Sequence, residues 1–342
     1  MTELDFDVIV IGAGPGGEAS AATLARAGAR VALIERELVG GECPYWGCMP
    51  SKALLRPAQV WREGARTAGV AGALAGRALD IEAVLGRRDD IIRGLDDTSH
   101  TERIERIGVT VIRGQGRLTG VRRVEVEAAD GSRRELVAER AVILAPGTRP
   151  AMPPIDGIVD ARPWTNREAT TTETIPGRLV ILGGGPIGVE LAQAFASLGS
   201  VVTIVEKNEE LLGHEEPDAV KLVRESLERS GVVTRCGESV ARVDRDADGI
   251  VRVTLASGDV LEAEELLVAS GRQGNTDDLG LERVGVTPNA RGNLIVRDCM
   301  DLGDGLEWLF AVGDVNGRAP FTHAAADQAK VGARKALGIP TE

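Results

Sequence analysis

The sequence lacks the features that several classes of protein depend on. Positive charge is in deficit, with a net charge of −12 over 342 residues, which argues against a nucleic-acid surface. No run of 18 apolar residues occurs, so no segment reads as a membrane-spanning helix. The start, MTELDFDVIVIGAG, has no basic n-region and no cleavage signal, and a cytoplasmic protein is expected. Histidine is scarce at three residues, and the three do not cluster. Cysteine is scarce at four, with Cys236 and Cys299 isolated and read as structural. No low-complexity segment is present. Glycine, in contrast, is plentiful at 43 residues without a collagen-like period, which suggests tight turns and close backbone–ligand contacts.

An internal repeat organises the chain. VIVIGAGPGGEASAATLARAGARVALIE, starting at Val8, matches LVILGGGPIGVELAQAFASLGSVVTIVE, starting 171 positions later at Leu179, without a gap. Each copy opens with an apolar run that reads as a buried parallel strand. Each continues as G-x-G-x-x-G, through Gly12, Gly14 and Gly17 or Gly183, Gly185 and Gly188. A helical pattern follows and closes at Gly28 or Gly199. A second β-branched strand ends in an acid, Glu35 or Glu206, 18 residues past the third glycine.

The chemistry accounts for these residue types. The first glycine permits the strand-to-helix turn, the second lets backbone approach a pyrophosphate, and the third lets helix pack on strand. The pyrophosphate then meets the positive end of the helix. The acid can accept hydrogen bonds from ribose hydroxyls. Two dinucleotide sites are therefore expected. Glu206 favours NADH over NADPH at the second, because a carboxylate repels a 2′-phosphate, although Lys207 is adjacent.

Later strands end in similar turns. AVILAPGTRP places Ala145, Pro146 and Gly147 after an apolar run, and LLVASGRQGN does the same with Gly271. The proline-rich stretch 149–154 reads as a hinge. Residues 62–105 read as mostly helical, and 109–144 as a β-meander turning at Asp130–Gly131. LEWLFAVGDVNG reads as a strand ending at Gly313 and Asp314, followed by a helix with Thr322 as N-cap.

GGECPYWGCMPSK holds Cys43 and Cys48, five residues apart. In an ideal helix that spacing separates the Cα atoms by about 8–9 Å, whereas a disulfide spans at most about 7 Å. If the two are bonded, the local turn is distorted. Pro44, Gly47 and Pro50 suit such a distortion. A metal site and two inert buried thiols remain open on these residues alone.

Taken in order over the whole chain, GAGPGG, Glu35, GGECPYWGCMPSK, APGTRP, GGGPIGVE, SGRQGN and AVGD resemble the class I pyridine nucleotide–disulfide oxidoreductases. That family includes dihydrolipoamide dehydrogenase, glutathione reductase and mercuric reductase. The resemblance implies an α/β fold of two Rossmann-like dinucleotide-binding domains of three-layer β/β/α type, the NAD domain inserted in the FAD domain. The implied boundaries are 1–152 for the first part of the FAD domain, 153–272 for the NAD(P)H domain and 273–342 for the return. It implies that Cys43 and Cys48 form a redox disulfide, Cys43 meeting substrate and Cys48 lying against the flavin as the charge-transfer thiolate. FAD is implied at Gly12, Gly14, Pro15, Gly16, Gly17, Glu35, Gly41, Glu42, Lys52, Gly116, Ala145, Pro146, Gly147, Asp314 and Thr322. The nicotinamide nucleotide is implied at Gly183, Gly185, Pro186, Ile187, Gly188, Glu206 and Gly271. Lys52 and Glu190 are implied to pair beside the flavin, where a fixed cation tunes its potential. No metal site is implied.

The implied activity is electron transfer from NADH through FAD and the cysteines to a small-molecule acceptor: a disulfide, a metal or a quinone. Two alternatives are a flavin NADH oxidase or diaphorase with a vestigial disulfide, and a truncated or engineered nucleotide-binding core without useful turnover. The family's C-terminal interface domain would begin where the sequence reaches GIPTE, and none of His100, His214 and His323 sits in a His-Pro-Thr-x-x-Glu-like setting. A monomer with weak disulfide turnover is therefore expected. Tyr45 and Trp46, between the cysteines, either shape an acceptor pocket or pack the turn.

Overall fold

The computed structural model describes residues 6–340. The N-terminal signal reading and the last letters of GIPTE fall partly outside that range. Two compact units emerge: one from residues up to Tyr45, Leu95–Arg149 and Arg272 onward, the other from Trp46–Gly94 and Pro150–Gly271.

The first unit begins with β1 (Phe6–Ile11), α1 (Pro15–Arg26), β2 (Val31–Glu35) and the short α2 (Glu42–Tyr45). Val8, Ile9 and Val10 are fully buried, as befits a strand covered on both faces. In the second unit α3 (Cys48–Arg66), α4 (Ala71–Leu74) and α5 (Ile81–Ile91) follow. The chain then returns to the first unit with α6 (Thr98–Glu105), β3 (Val109–Arg113), β4 (Gln115–Gly120), β5 (Arg123–Glu127) and β6 (Arg133–Leu144). β3, β2, β1 and β6 lie parallel, with Ile9 opposite Ala32 and Val142. The first half of β6 pairs antiparallel with β5, and β5 with β4.

The meander is therefore narrower than expected from sequence. It comprises β4 to β6, turning at Gly131, while β3 belongs to the parallel sheet. β3 returns after helices, and a crossover of that kind leaves its strand parallel to the one before. The short β7 (Thr148–Pro150) ends this passage.

The second unit continues with α7 (Asn166–Thr171), β8 (Arg178–Leu182), α8 (Pro186–Ser197), β9 (Val201–Glu206), α9 (Pro217–Arg229) and β10 (Val233–Cys236). Then come β11 (Val240–Arg245), β12 (Val251–Leu255), β13 (Val260–Ala263) and β14 (Glu265–Val268). β10, β9, β8 and β14 form a parallel sheet, and β11 to β13 an antiparallel one. Both units thus combine a parallel sheet, an antiparallel three-stranded layer and helices. α3 packs in this second unit, where Leu54 and Leu55 meet Val84 and Leu85 of α5 and Ala194 and Leu198 of α8.

The last segment returns to the first unit with β15 (Arg272–Gly274), which pairs with β7, then β16 (Leu309–Ala311) beside β6 and α10 (Thr322–Ala336). Thr322 is the first helical residue rather than the N-cap. Phe321 occupies the cap with an extended backbone, φ −129° and ψ 141°, and makes no side-chain capping bond.

Candidate cofactor sites and the cysteine segment

The first glycine turn joins β1 to α1. A Cβ on Gly12 would stand 2.2 Å from the Ala145 carbonyl oxygen, and one on Gly17 would stand 1.8 Å from that of Gly12. Backbone cannot yield to that extent, so both positions require glycine. Gly14 differs: nothing lies within 4 Å of where its Cβ would be. As N-cap of α1, Gly14 offers no side chain to the helix N–H groups. Open space beside helix-end donors suits a pyrophosphate. Gly41 packs on this turn, its Cβ direction ending 2.7 Å from the Gly14 Cα.

Glu35 reaches back to the turn. Its Oε2 accepts from the Ala13 N–H at 2.6 Å and its Oε1 from the Glu37 N–H at 2.7 Å. The side chain is only 8% exposed, and burial pushes its pKa above the usual carboxylate range against the opposing pull of these bonds. Two lone-pair directions remain for a ribose diol.

A polar chain crosses the rest of this unit. Thr148 Oγ1 donates to Asp314 Oδ2 at 3.0 Å. Arg272 Nε donates to Thr148 Oγ1 at 2.7 Å and its Nη2 to the Thr148 carbonyl at 2.8 Å. The same Nη2 lies 3.5 Å from Glu42 Oε2. Asn275 Nδ2 donates to the Pro146 carbonyl at 2.9 Å. The structure thus brings together Gly12, Gly14, Gly41, Ala145 and Pro146, and links Glu42 to Asp314 through Arg272 and Thr148. Gly147 adopts φ +67° beside Thr148. Gly16 is buried near Val312 and Ala325, while Pro15 is half-buried at the helix start. Gly116 lies in the meander, buried against Ile34 and Ile11. Thr148 and Arg272 sit inside APGTRP and SGRQGN, but a threonine and an arginine there carry no backbone signal of the kind the neighbouring glycines do, so the sequence reading did not include them.

The second turn repeats the first. A Cβ on Gly183 would stand 2.5 Å from the Ala269 carbonyl oxygen, and one on Gly188 would stand 2.0 Å from that of Gly183. Gly185 again faces open space and provides no side-chain cap to α8. Glu206 Oε2 accepts from the Gly184 N–H at 2.6 Å, and its Oε1 from Asn208 N and Nδ2 at 2.9 and 2.7 Å. Pro186 is exposed and Ile187 half-buried. Gly271 has φ +135°, and its carbonyl accepts from the Ala151 N–H at 2.9 Å. The donor sets of both turns therefore fit dinucleotides.

The cysteine segment is not one continuous helix. α2 contains Cys43, half-buried. The helix breaks at Trp46 and Gly47, the latter at φ −123° and ψ −112°, and α3 restarts at Cys48, which is exposed. Lys52 stands one turn beyond Cys48 on the same face of α3. Its Nζ donates to both carboxylate oxygens of Glu190, on α8, at 2.7 Å. With Lys52 63% exposed, this pair contributes at most about 1 kcal/mol to stability. Tyr45 packs inward, 1% exposed, donating to the Val39 carbonyl at 3.2 Å. Trp46 carries Arg167 over its ring at 4.1 Å.

The other cysteines stand elsewhere. Burial pushes the Cys236 thiol upward, which makes it a poor nucleophile. Cys299 donates to Asp301 Oδ2 at 3.2 Å, and Arg297 holds that buried carboxyl below the usual range. Among the described residues no group of three His, Cys, Asp or Glu side chains could hold a metal, and no helix is long and apolar enough to cross a membrane.

Residues 6–329 match the model of the pyridine nucleotide-disulphide oxidoreductase family. The chain belongs to that family. Family membership makes it an oxidoreductase, and the family works with FAD and NAD(P)H. Dihydrolipoyl dehydrogenase of Chlamydia muridarum is 32% identical over 339 residues, spanning 98% of this chain and 71% of the relative. A soluble pyridine nucleotide transhydrogenase of Mycobacterium bovis is 33% identical over 350 residues, spanning 99% and 72%. Among solved structures, the HOCl-induced flavoprotein disulfide reductase RclA of Escherichia coli superposes with a TM-score of 0.85 at 29% identity, over 98% of this chain and 72% of the other. LpdA of Mycobacterium tuberculosis gives 0.86 at 29%, over 98% and 73%. The fold is thus the mixed α/β, parallel-sheet architecture of FAD- and NAD-binding disulfide reductases.

Proposed function

We propose that this flavoprotein oxidoreductase moves two electrons from NADH to a Cys43–Cys48 redox pair and from there to a disulfide, metal or quinone acceptor. The observation that carries the reading is the face of α3 shared by Cys48 and Lys52, with Lys52 fixed by both oxygens of Glu190. Such an exposed ion pair adds little to stability, so its two-pronged geometry is better explained by chemistry next to Cys48. In the proposed arrangement FAD binds at the Gly12–Gly17 turn, with Glu35 at its ribose and Asp314 and Thr322 farther along it. The nicotinamide nucleotide binds at Gly183–Gly188 with Glu206 at its ribose. FAD, when bound, supplies the two-electron relay between nicotinamide and cysteines. The domain division proposed is 1–152 and 273–342 for FAD, with 153–272 inserted for NAD(P)H.

This chain's own residues have defined tasks. The N-terminal N–H groups of α1 and α8 hold the two pyrophosphates. Glu206, anchored by Gly184 and Asn208, keeps a fixed negative charge where a 2′-phosphate would lie, which supports NADH. In going from disulfide to the Cys43 thiol and the Cys48 thiolate, the pair takes up two electrons and one proton. Oxidation of NADH to NAD⁺ releases a hydride, which carries both electrons and that proton. Reoxidation re-forms the disulfide, passing both electrons to the acceptor and the proton to the acceptor or to solvent. RclA has also been solved as a Cu(II) complex, so a metal ion belongs among the acceptor substrates to be tested.

An anaerobic NADH titration tests the reading. A long-wavelength band that precedes full bleaching of the flavin, and disappears in Cys48→Ser while FAD stays bound, is the expected result. Direct bleaching without that band in the wild type overturns the disulfide step and leaves a flavin diaphorase.

A further inference from the structure

The peptide between Trp46 and Gly47 is held from outside its own helix. Asn166 Nδ2 donates to the Trp46 carbonyl at 2.8 Å, and Thr170 Oγ1 approaches the same oxygen at 3.4 Å. Both side chains belong to α7 and are buried, Asn166 at 6% and Thr170 at 1% exposure. Arg167, between them in sequence, lies over the Trp46 ring. Three residues of one six-residue helix therefore converge on the residue two before Cys48.

α7 is itself locked at both ends. Thr165 and Glu168 form a reciprocal capping box at its start. At its end the carbonyls of Thr170 and Thr172 accept from Arg88 Nη1 and Nη2 at 2.8 and 2.9 Å. Arg88 is 1% exposed, and a guanidinium so buried is tolerated only when its donors are satisfied. A helix this short has little stability of its own. Its position is therefore imposed by tertiary bonds, and the polar face so positioned meets Trp46.

We infer that α7 is a positioning device for Cys48: by fixing the Trp46 carbonyl and ring, Asn166, Thr170 and Arg167 set how the first turn of α3 presents the thiol. The inference rests on the redox reading of Cys43 and Cys48. The need for an external clamp follows from the local sequence. Gly47, the N-cap of α3, is the residue with most backbone freedom and makes no side-chain capping bond. Pro50, in the first turn, has no N–H to give. Within α3 the first turn is tied by the Ser51 N–H to the Gly47 carbonyl at 3.2 Å and by Ser51 Oγ to the Cys48 carbonyl at 3.2 Å. Those bonds hold the turn together, and the bonds from α7 fix the Trp46 carbonyl that precedes it.

The test uses FAD-loaded protein reduced with NADH under anaerobic conditions, then alkylated with iodoacetamide. Labelling of Cys48 relative to Cys43 is read by peptide mass spectrometry, and the long-wavelength absorbance is recorded in parallel. Asn166→Ala and Arg167→Leu are expected to change the labelling ratio by about fivefold, the scale of one net hydrogen bond, and to weaken the band. Arg167→Lys, which keeps a cation over the ring, is expected to restore most of both. Should Asn166→Ala fail to fold, the half-buried Arg167 variants decide alone. An unchanged ratio and band in folded variants, beside a responsive wild type, overturns the inference and leaves α7 a packing element. A wild type whose cysteines gain no labelling on NADH addition overturns the redox reading and the inference with it.

Discussion

The two glycine turns use one chemistry in two degrees of enclosure. In both, the first and third glycines abut backbone oxygen, the second faces open space, and a glutamate ties the end of the next strand back to the turn. Their surroundings differ. At the first turn Gly16 is buried near Val312 and Ala325, Pro15 is half-buried, and Gly41 presses on Gly14. At the second, Pro186 is exposed and Ile187 half-buried. A cradle closed by a second helix and a glycine loop suits a cofactor that stays. A cradle open at the helix start suits a nucleotide that binds, reacts and leaves. Enclosure, more than motif, separates the proposed FAD site from the proposed NADH site.

Forcing a side chain into either turn gives the largest effect. Gly17→Val drives a methyl-bearing carbon into the Gly12 carbonyl, so a loss of about 3 kcal/mol or more and failure to retain flavin through gel filtration are expected. Gly188→Val is expected to keep bound flavin yet lose its reduction by NADH, and a flavin spectrum before and after NADH separates the two. If both variants lose flavin equally, the two turns do not have separate cofactors.

Reversing the charge at the proposed second ribose position comes next. Glu206→Arg is expected to move the NADH-to-NADPH preference in kcat/KM by about tenfold or more toward NADPH, equivalent to ~1.4 kcal/mol. Steady-state kinetics with both nucleotides checks it, and an unmoved ratio would place the ribose elsewhere. Lys52→Met is expected to slow NADH-dependent thiol exposure several-fold while shifting stability by no more than about 1 kcal/mol, because the pair is exposed. A large drop in melting temperature instead would make the pair structural.

The smallest effect concerns Glu35. Its pKa is raised by burial, so between the usual carboxylate range and the raised value the folded state binds a proton that the unfolded chain does not. This group's contribution is therefore fully present below its unfolded pKa and lost as pH rises through the folded one. The melting temperature of wild type relative to Glu35→Gln is expected to rise as pH falls through that window. A gap that narrows on acidification would show that the two backbone bonds outweigh burial.

Short-range chemistry made much of the molecule legible in advance. A glycine wedged between strand and helix can be replaced by nothing else, so both G-x-G-x-x-G turns, their flanking strands and the acids Glu35 and Glu206 are readable from spacing. The break between Cys43 and Cys48 is compatible with Pro44, Gly47 and Pro50, whose backbone limits act locally, although the sequence called for it only if the two cysteines are bonded. β3 escaped this reading, because alternation alone does not reveal whether a strand pairs with its successor or returns to a distant neighbour. The cap of the last helix did too, since Thr322 has the right chemistry one position late.

Other relations exist only in the folded chain. Arg272 meets Thr148, 124 residues away, and Asn166 meets the Trp46 carbonyl across 120. Neither contact leaves a periodic trace, because a hydrogen bond between distant segments constrains one side chain at each end. The helices from Cys48 to Ile91 joined the second unit for a similar reason: their apolar faces specify burial, but Leu54 and Leu55 find Ala194 and Leu198 only once the sheet positions α8. Local geometry thus wrote the two glycine turns into the sequence, while long-range packing chose what surrounds them and what holds the cysteine helix.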